Sequence, residues 1–71
     1  AIEGKKEDFR IGKRMREIRQ AAGLTQAEVA ERMGCEQKDV SRWESGRQIS
    51  AYNHYLFCKA VGCSLGVFDD L

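Results

Sequence analysis

Four side chains between positions 37 and 42 supply an amide, an ammonium, a hydroxyl and a guanidinium: Gln37, Lys38, Ser41 and Arg42. On a helix turning about 100° per residue they fall inside one arc of about 140°, with Val40 and Trp43 on the opposite side. Groups of these kinds match the edges of base pairs in a major groove. A glutamine amide can bond adenine N6 and N7 together, and an arginine or lysine can bond guanine O6 and N7. Any one of them alone is ordinary surface polarity. Their chemistry depends on a frame that holds this face outward.

The residues around them describe such a frame. Thr25 is suited to cap a helix starting at Gln26, and Glu28 three residues later completes a capping-box pattern. Ala30 is small enough to let a second helix approach. Gly34 can take the left-handed conformation that ends a helix without a Cβ clash. Val40 is the β-branched knob expected between the two helices, and Val29, Met33, Cys35 and Trp43 fill the other apolar positions. The stretch from Leu24 to Gly46 therefore reads as two short helices joined by a tight turn. It resembles the helix-turn-helix of the lambda-repressor/Cro-like family of DNA-binding regulators.

The resemblance covers about residues 9–68 and implies an all-α fold, a compact five-helix lambda-repressor-like domain with its helix-turn-helix at helices 2 and 3. It implies a sequence-specific regulator of double-stranded DNA, expected to be a repressor, that reads the major groove with Gln37, Lys38, Ser41 and Arg42. Gln26 stands where the family's glutamine lies over the DNA backbone. Ser45, Gly46 and Arg47, in the loop after helix 3, offer backbone N–H groups and a guanidinium for phosphate oxygens, with Gln48 a weaker candidate. A pair linking helix 1 to helix 3 carries over to Arg19 and Glu44. One reading helix meets only about four or five base pairs, so a symmetric dimer on an inverted-repeat operator is expected, weak in solution or formed on the DNA. The loop from Arg47 to Ser50 with the start of helix 4 is favoured as its contact over the Leu56 side of helix 4. Two departures stand out. Glu36 replaces the usual small hydroxyl N-cap of helix 3; it suits the helix dipole but caps poorly, and with Asp39 it brings negative charge near the reading face. There Asp39 could accept from a cytosine amine. The loop after Arg47 also lacks the proline that family members often carry.

The elements that must position these groups follow from periodicity and punctuation. Residues 1–7 are expected to form a flexible N-terminal arm, and residues 8–71 a single helix-turn-helix domain. Helix 1 should run from about Asp8 to Ala22 with Ile11, Met15, Ile18 and Ala22 on one stripe, ended by Gly23. Helix 3 should run from about Gln37 to Ser45-Gly46. Ser50 should cap helix 4, about Ala51 to Val61, which Gly62 ends, and Ser64 should cap a short fifth helix through Phe68. A chain of 71 residues is near the size at which one core becomes marginal, but 42% hydrophobic residues suffice for folding. The net charge of +1 does not by itself point to nucleic acid. Its distribution is more telling: Arg10, Lys13, Arg14, Arg16 and Arg19 face Glu17 alone within residues 10–20, whereas Asp69 and Asp70 stand without a basic neighbour in residues 60–71. A basic side suits phosphates.

Other classes find less support. No apolar run has the length of a membrane span and no secretory signal pattern is present, so a cytoplasmic protein is expected. Cys35, Cys58 and Cys63 are odd in number, and His54 with Cys58 and Cys63 would give a zinc ion only three ligands. Buried thiols, with no metal or other cofactor, are the expectation. One histidine, no serine in a nucleophile turn and no phosphate-cradling glycine loop leave no catalytic residue to name, and no enzyme is expected. Trp43 is placed in the core rather than as a stacking platform. Helix 4 is apolar almost all round, through Tyr52, Tyr55, Leu56, Phe57, Cys58, Ala60 and Val61. It should leave a spare patch for a protein. That patch keeps an alternative open, an antitoxin-like helical module whose main partner is another protein.

Overall fold

Four helices arise where the caps and apolar periods fall. The computed structural model describes residues 6–70, with side chains from Asp8 onward. In order they are α1 (Lys6–Ala21), α2 (Gln26–Met33), α3 (Gln37–Glu44) and α4 (Ala51–Val61), followed by a single 3-10 turn at Leu65–Phe68. No strand occurs among the described residues. The expected fifth helix is thus only this 3-10 turn. Ser64 stands at its N-cap position but makes no side-chain cap bond. Helix α1 starts at Lys6, so the last two residues assigned to the arm are helical, while residues 1–5 lie outside the described residues.

Each boundary has a local cause. The Thr25 hydroxyl accepts from the Glu28 N–H at 3.1 Å, and the Glu28 carboxylate accepts from the Thr25 N–H at 2.9 Å. This reciprocal pair satisfies donors that the first turn of α2 leaves open. Gly34 ends α2 with φ 77° and ψ 28°, and the Cys35 N–H closes back onto the Ala30 carbonyl at 3.0 Å. Ser50 caps α4 through the Asn53 N–H at 3.2 Å, and Gly62 ends it at φ 78°.

Met15, Val29, Val40 and Phe57 are completely buried, and Ala30, Met33, Cys58 and Phe68 complete the core. Ile11, Ile18, Cys35 and Trp43 pack against it while partly buried. Ala22, expected on the α1 stripe, is exposed. The helix has ended by then, and the Leu24 N–H closes the turn onto the Arg19 carbonyl at 3.1 Å. Helix α3 packs on both α2 and α1, and α4 packs on α2 and the 3-10 turn. The approach of α1 to α3 needs Gly12: a Cβ there would stand 2.3 Å from the Trp43 carbonyl oxygen and 2.9 Å from that of Glu44.

Candidate nucleic-acid interface

Helix α3 is held by one face and exposed on the other. Val40 is wholly buried and Trp43 partly so, whereas Gln37, Lys38 and Arg42 are exposed and Ser41 is half-buried. All four residues picked for base reading therefore share one accessible helix face. Glu36 makes no side-chain cap, as its length suggests; instead the Asp39 carboxylate accepts from the Glu36 N–H at 3.3 Å. The Glu36 carboxylate lies 3.2 Å from the Lys38 ammonium, with both side chains largely in solvent.

Glu44 fixes the tilt of this helix. Its side chain has no exposed surface, and its carboxylate is filled by three donor residues from two elements, α1 and α2. Arg19 gives Nε to Oε2 at 2.6 Å and Nη2 to Oε1 at 3.1 Å. Gln26 gives Nε2 to Oε1 at 3.0 Å, and Arg16 gives Nε to the same oxygen at 3.3 Å. Arg19 turns its remaining Nη1 to the Leu24 carbonyl at 2.9 Å. Burial alone drives the Glu44 carboxyl upward, but hydrogen bonds from Arg19, Gln26 and Arg16 outweigh it and hold the group below its ordinary value. Arg19 is raised correspondingly by its bond to Glu44. The Arg19–Glu44 pair implied by the family resemblance is present. Its extension to Gln26 and Arg16 had no signal in the sequence beyond residue type.

Two expectations need correction. The N–H groups of the Ser45–Arg47 loop do not point to solvent. Ser45 bonds the Ser41 and Arg42 carbonyls, each at 3.1 Å, Gly46 bonds Trp43 at 3.1 Å and Arg47 bonds Arg42 at 3.0 Å. The carbonyls ending α3 require donors, and this loop supplies them. The Ser45 hydroxyl also donates to the Ser41 carbonyl at 2.9 Å, and Gly46 is buried at φ 106° beneath the Phe9 ring. Ser45 and Gly46 are thereby removed as phosphate donors; Arg47 remains exposed. The basic tract of α1 is likewise not one phosphate-facing surface. Arg14 reaches the Val67 carbonyl and Asp70, tying the acidic C-terminal turn to α1. Arg19 is taken up by Glu44 and Leu24, Arg16 meets Glu44 through Nε alone, and Arg10 and Lys13 lie about 160° and 100° around α1 from the α3-facing Gly12.

The residues weighed for a metal, His54, Cys58 and Cys63, lie on α4 and just beyond it. Cys35, Cys58 and Cys63 are free thiols, and among the described residues no group of three or more His, Cys, Asp or Glu converges to hold an ion. Burial and the neighbouring Cys63 thiol push Cys58 up to about 12, the behaviour of an inert core thiol. His54 has a buried, unpartnered Nε2 and its ring meets Phe68 edge-on at 4.3 Å between centroids.

A capped helix, a left-handed glycine turn and a second helix with one buried and one polar face define a helix-turn-helix module. The sequence model of the helix-turn-helix domain family matches residues 10–55, and the chain belongs to that family. A search among curated protein sequences finds no match. Among solved structures, the restriction-modification controller protein C.AhdI from Aeromonas hydrophila is similar at 28% identity and TM-score 0.84, over 87% of this chain and 91% of that one. The clp gene regulator ClgR from C. glutamicum is 24% identical, with TM-score 0.87 over 93% of this chain and 87% of its own. The restriction-modification controller protein C.Esp1396I shares 21% identity and TM-score 0.84, over 93% and 87%. The last two show the shared all-helical fold. No helix among the described residues is long and apolar enough to cross a membrane.

Proposed function

We propose that this DNA-binding transcription regulator of the helix-turn-helix family places α3 in the major groove and reads base edges through Gln37, Lys38, Ser41 and Arg42. The observation that carries the reading is the division of α3 into a buried side, anchored by Val40 and Glu44, and an exposed polar side. Gln26 and Arg47 serve as phosphate contacts. Gln26 gives one amide proton to Glu44 and keeps a second for a phosphate oxygen. The role is a non-catalytic, cytoplasmic one, as a repressor that binds an inverted repeat as a symmetric dimer. C.Esp1396I is described as a tetramer in complex with its natural 35 base-pair operator, a precedent for assembly on DNA within this fold.

Selection of bound duplexes from a random library tests the proposal. It should return an inverted repeat, and inserting one to three base pairs between half-sites should weaken binding steeply. Retention of no sequence above background contradicts the reading. The second reading, a module whose chief partner is a protein, draws on Tyr52 at 69% and Tyr55 at 50% exposure along α4. It predicts instead salt-insensitive association with a protein and no enriched DNA sequence.

A further inference from the structure

The carboxylate of Glu44 carries one negative charge and receives two guanidinium groups, so the cluster at this edge of α3 holds a net positive charge. Arg19 is not the source of the surplus. All three of its nitrogens are bonded, and its side chain is only 11% exposed. Arg16 differs. It touches Glu44 through Nε alone, its side chain is 50% exposed, and among the described residues Glu44 is its partner.

The position of this charge is defined by two neighbours. Arg16 Nε and Gln26 Nε2 rest on the same Glu44 oxygen at 3.3 and 3.0 Å, together with Arg19 Nη2 at 3.1 Å, so the Arg16 and Gln26 donor groups are close neighbours. Gln37, Ser41 and Glu44 follow one another along a single ridge of α3 at helical spacing. The donors gathered on Glu44 therefore border the proposed base-reading face.

We propose that Arg16 is a phosphate-binding residue of this protein. With Nε anchored on Glu44, its two terminal nitrogens form a fork that takes a DNA phosphate beside the one met by Gln26. A guanidinium suits the task because its planar fork pairs two N–H groups with two phosphate oxygens, and the anchored edge leaves less freedom to lose on binding. The phosphate supplies the second counter-charge that Glu44 alone does not. This rests on the groove-reading role proposed above and adds a residue that stands on α1, outside the helix-turn-helix itself.

The test is the salt dependence of binding between the whole chain and a random-sequence duplex. Arg16→Gln should lower the slope of log K against log salt by about 0.9, and affinity at 0.1 M salt by about eight-fold, as one phosphate contact predicts. Arg16→Lys should keep the slope. Arg10→Gln, on the far side of α1, should change neither quantity. Glu44 retains Arg19 and Gln26, so Arg16→Gln should keep its helical circular dichroism, and Arg16→Met, which preserves the aliphatic stem, repeats the measurement independently. A wild-type slope in both neutral variants overturns the proposal. A wild-type chain that binds no duplex at any salt overturns the groove-reading role itself, and the two failures are distinct.

Discussion

Replacing Glu44 by alanine should remove a large share of the stability of this domain. The carboxylate is wholly buried and is the common acceptor for donors from α1 and α2. Its loss strands two bonds from Arg19, whose side chain is 89% covered by the complement of its 11% exposure. Removing one partner of a buried pair costs about 3–5 kcal/mol. The half-exposed Arg16 admits water to one side of the cluster, which places the expectation near the lower end, about 3 kcal/mol. A chain of this size has a net stability of only about 4–11 kcal/mol, so the melting midpoint should fall by about 12–24 °C. Gln26→Ala, which removes one hydrogen bond that water can replace, should cost about 1 kcal/mol. Replacing Arg19 and Glu44 together by methionine should recover most of the loss, because no buried charge is then left unpaired. Urea denaturation followed by circular dichroism measures all three. The pH dependence has a definite sign: the folded-state carboxyl lies below its ordinary value of 4.5, so its contribution is fully present above about that pH and is lost as pH falls through the lower folded value. Glu44→Ala should lack that acid phase. A Glu44→Ala midpoint corresponding to less than about 0.5 kcal/mol of change would mean that the cluster holds nothing in place.

Gly12→Ala should destabilise by about 1–3 kcal/mol, because the added Cβ meets two backbone oxygens of α3 rather than a movable side chain; an unchanged urea midpoint would exclude that helix crossing. Gly34→Val should cost more than about 1 kcal/mol, and since open space surrounds the site the cost must come from φ 77° alone. Burial holds His54 below its ordinary 6.5, so wild-type stability should decline as pH falls below that value, more than in His54→Leu, until the folded imidazole itself protonates. Parallel denaturation curves for the two proteins across that range would contradict it.

Features governed by short-range rules were legible in the sequence. The Thr25–Glu28 box, the turn at Gly34, the Ser50 cap and the end at Gly62 each depend on a few consecutive residues, and the structure has them all. The exposed polar face of α3 followed from helical period, and the Arg19–Glu44 pair from family resemblance. What escaped notice depends on contacts distant in sequence. Gly12 carries no periodic signal, since its role is set by backbone atoms of α3. Gln26 and Arg16 join Glu44 across 18 and 28 positions. Arg14 reads in the sequence as part of a basic face, yet Asp70, 56 residues away, claims it. Ser45 and Gly46 lose the phosphate role because the carbonyls at the end of α3 take the nearest N–H groups first.

In the proposed function the exposed face of α3 reads base identity. The most direct measurement is the affinity of wild type, Gln37→Ala, Arg42→Ala and Arg47→Ala for a selected site and its single-base variants at one fixed salt concentration. Each α3 variant should lose about 1–3 kcal/mol on the selected site and relax preference at one or two base positions. Arg47→Ala should weaken every sequence alike. Specificity profiles of Gln37→Ala and Arg42→Ala identical to that of wild type would contradict the account.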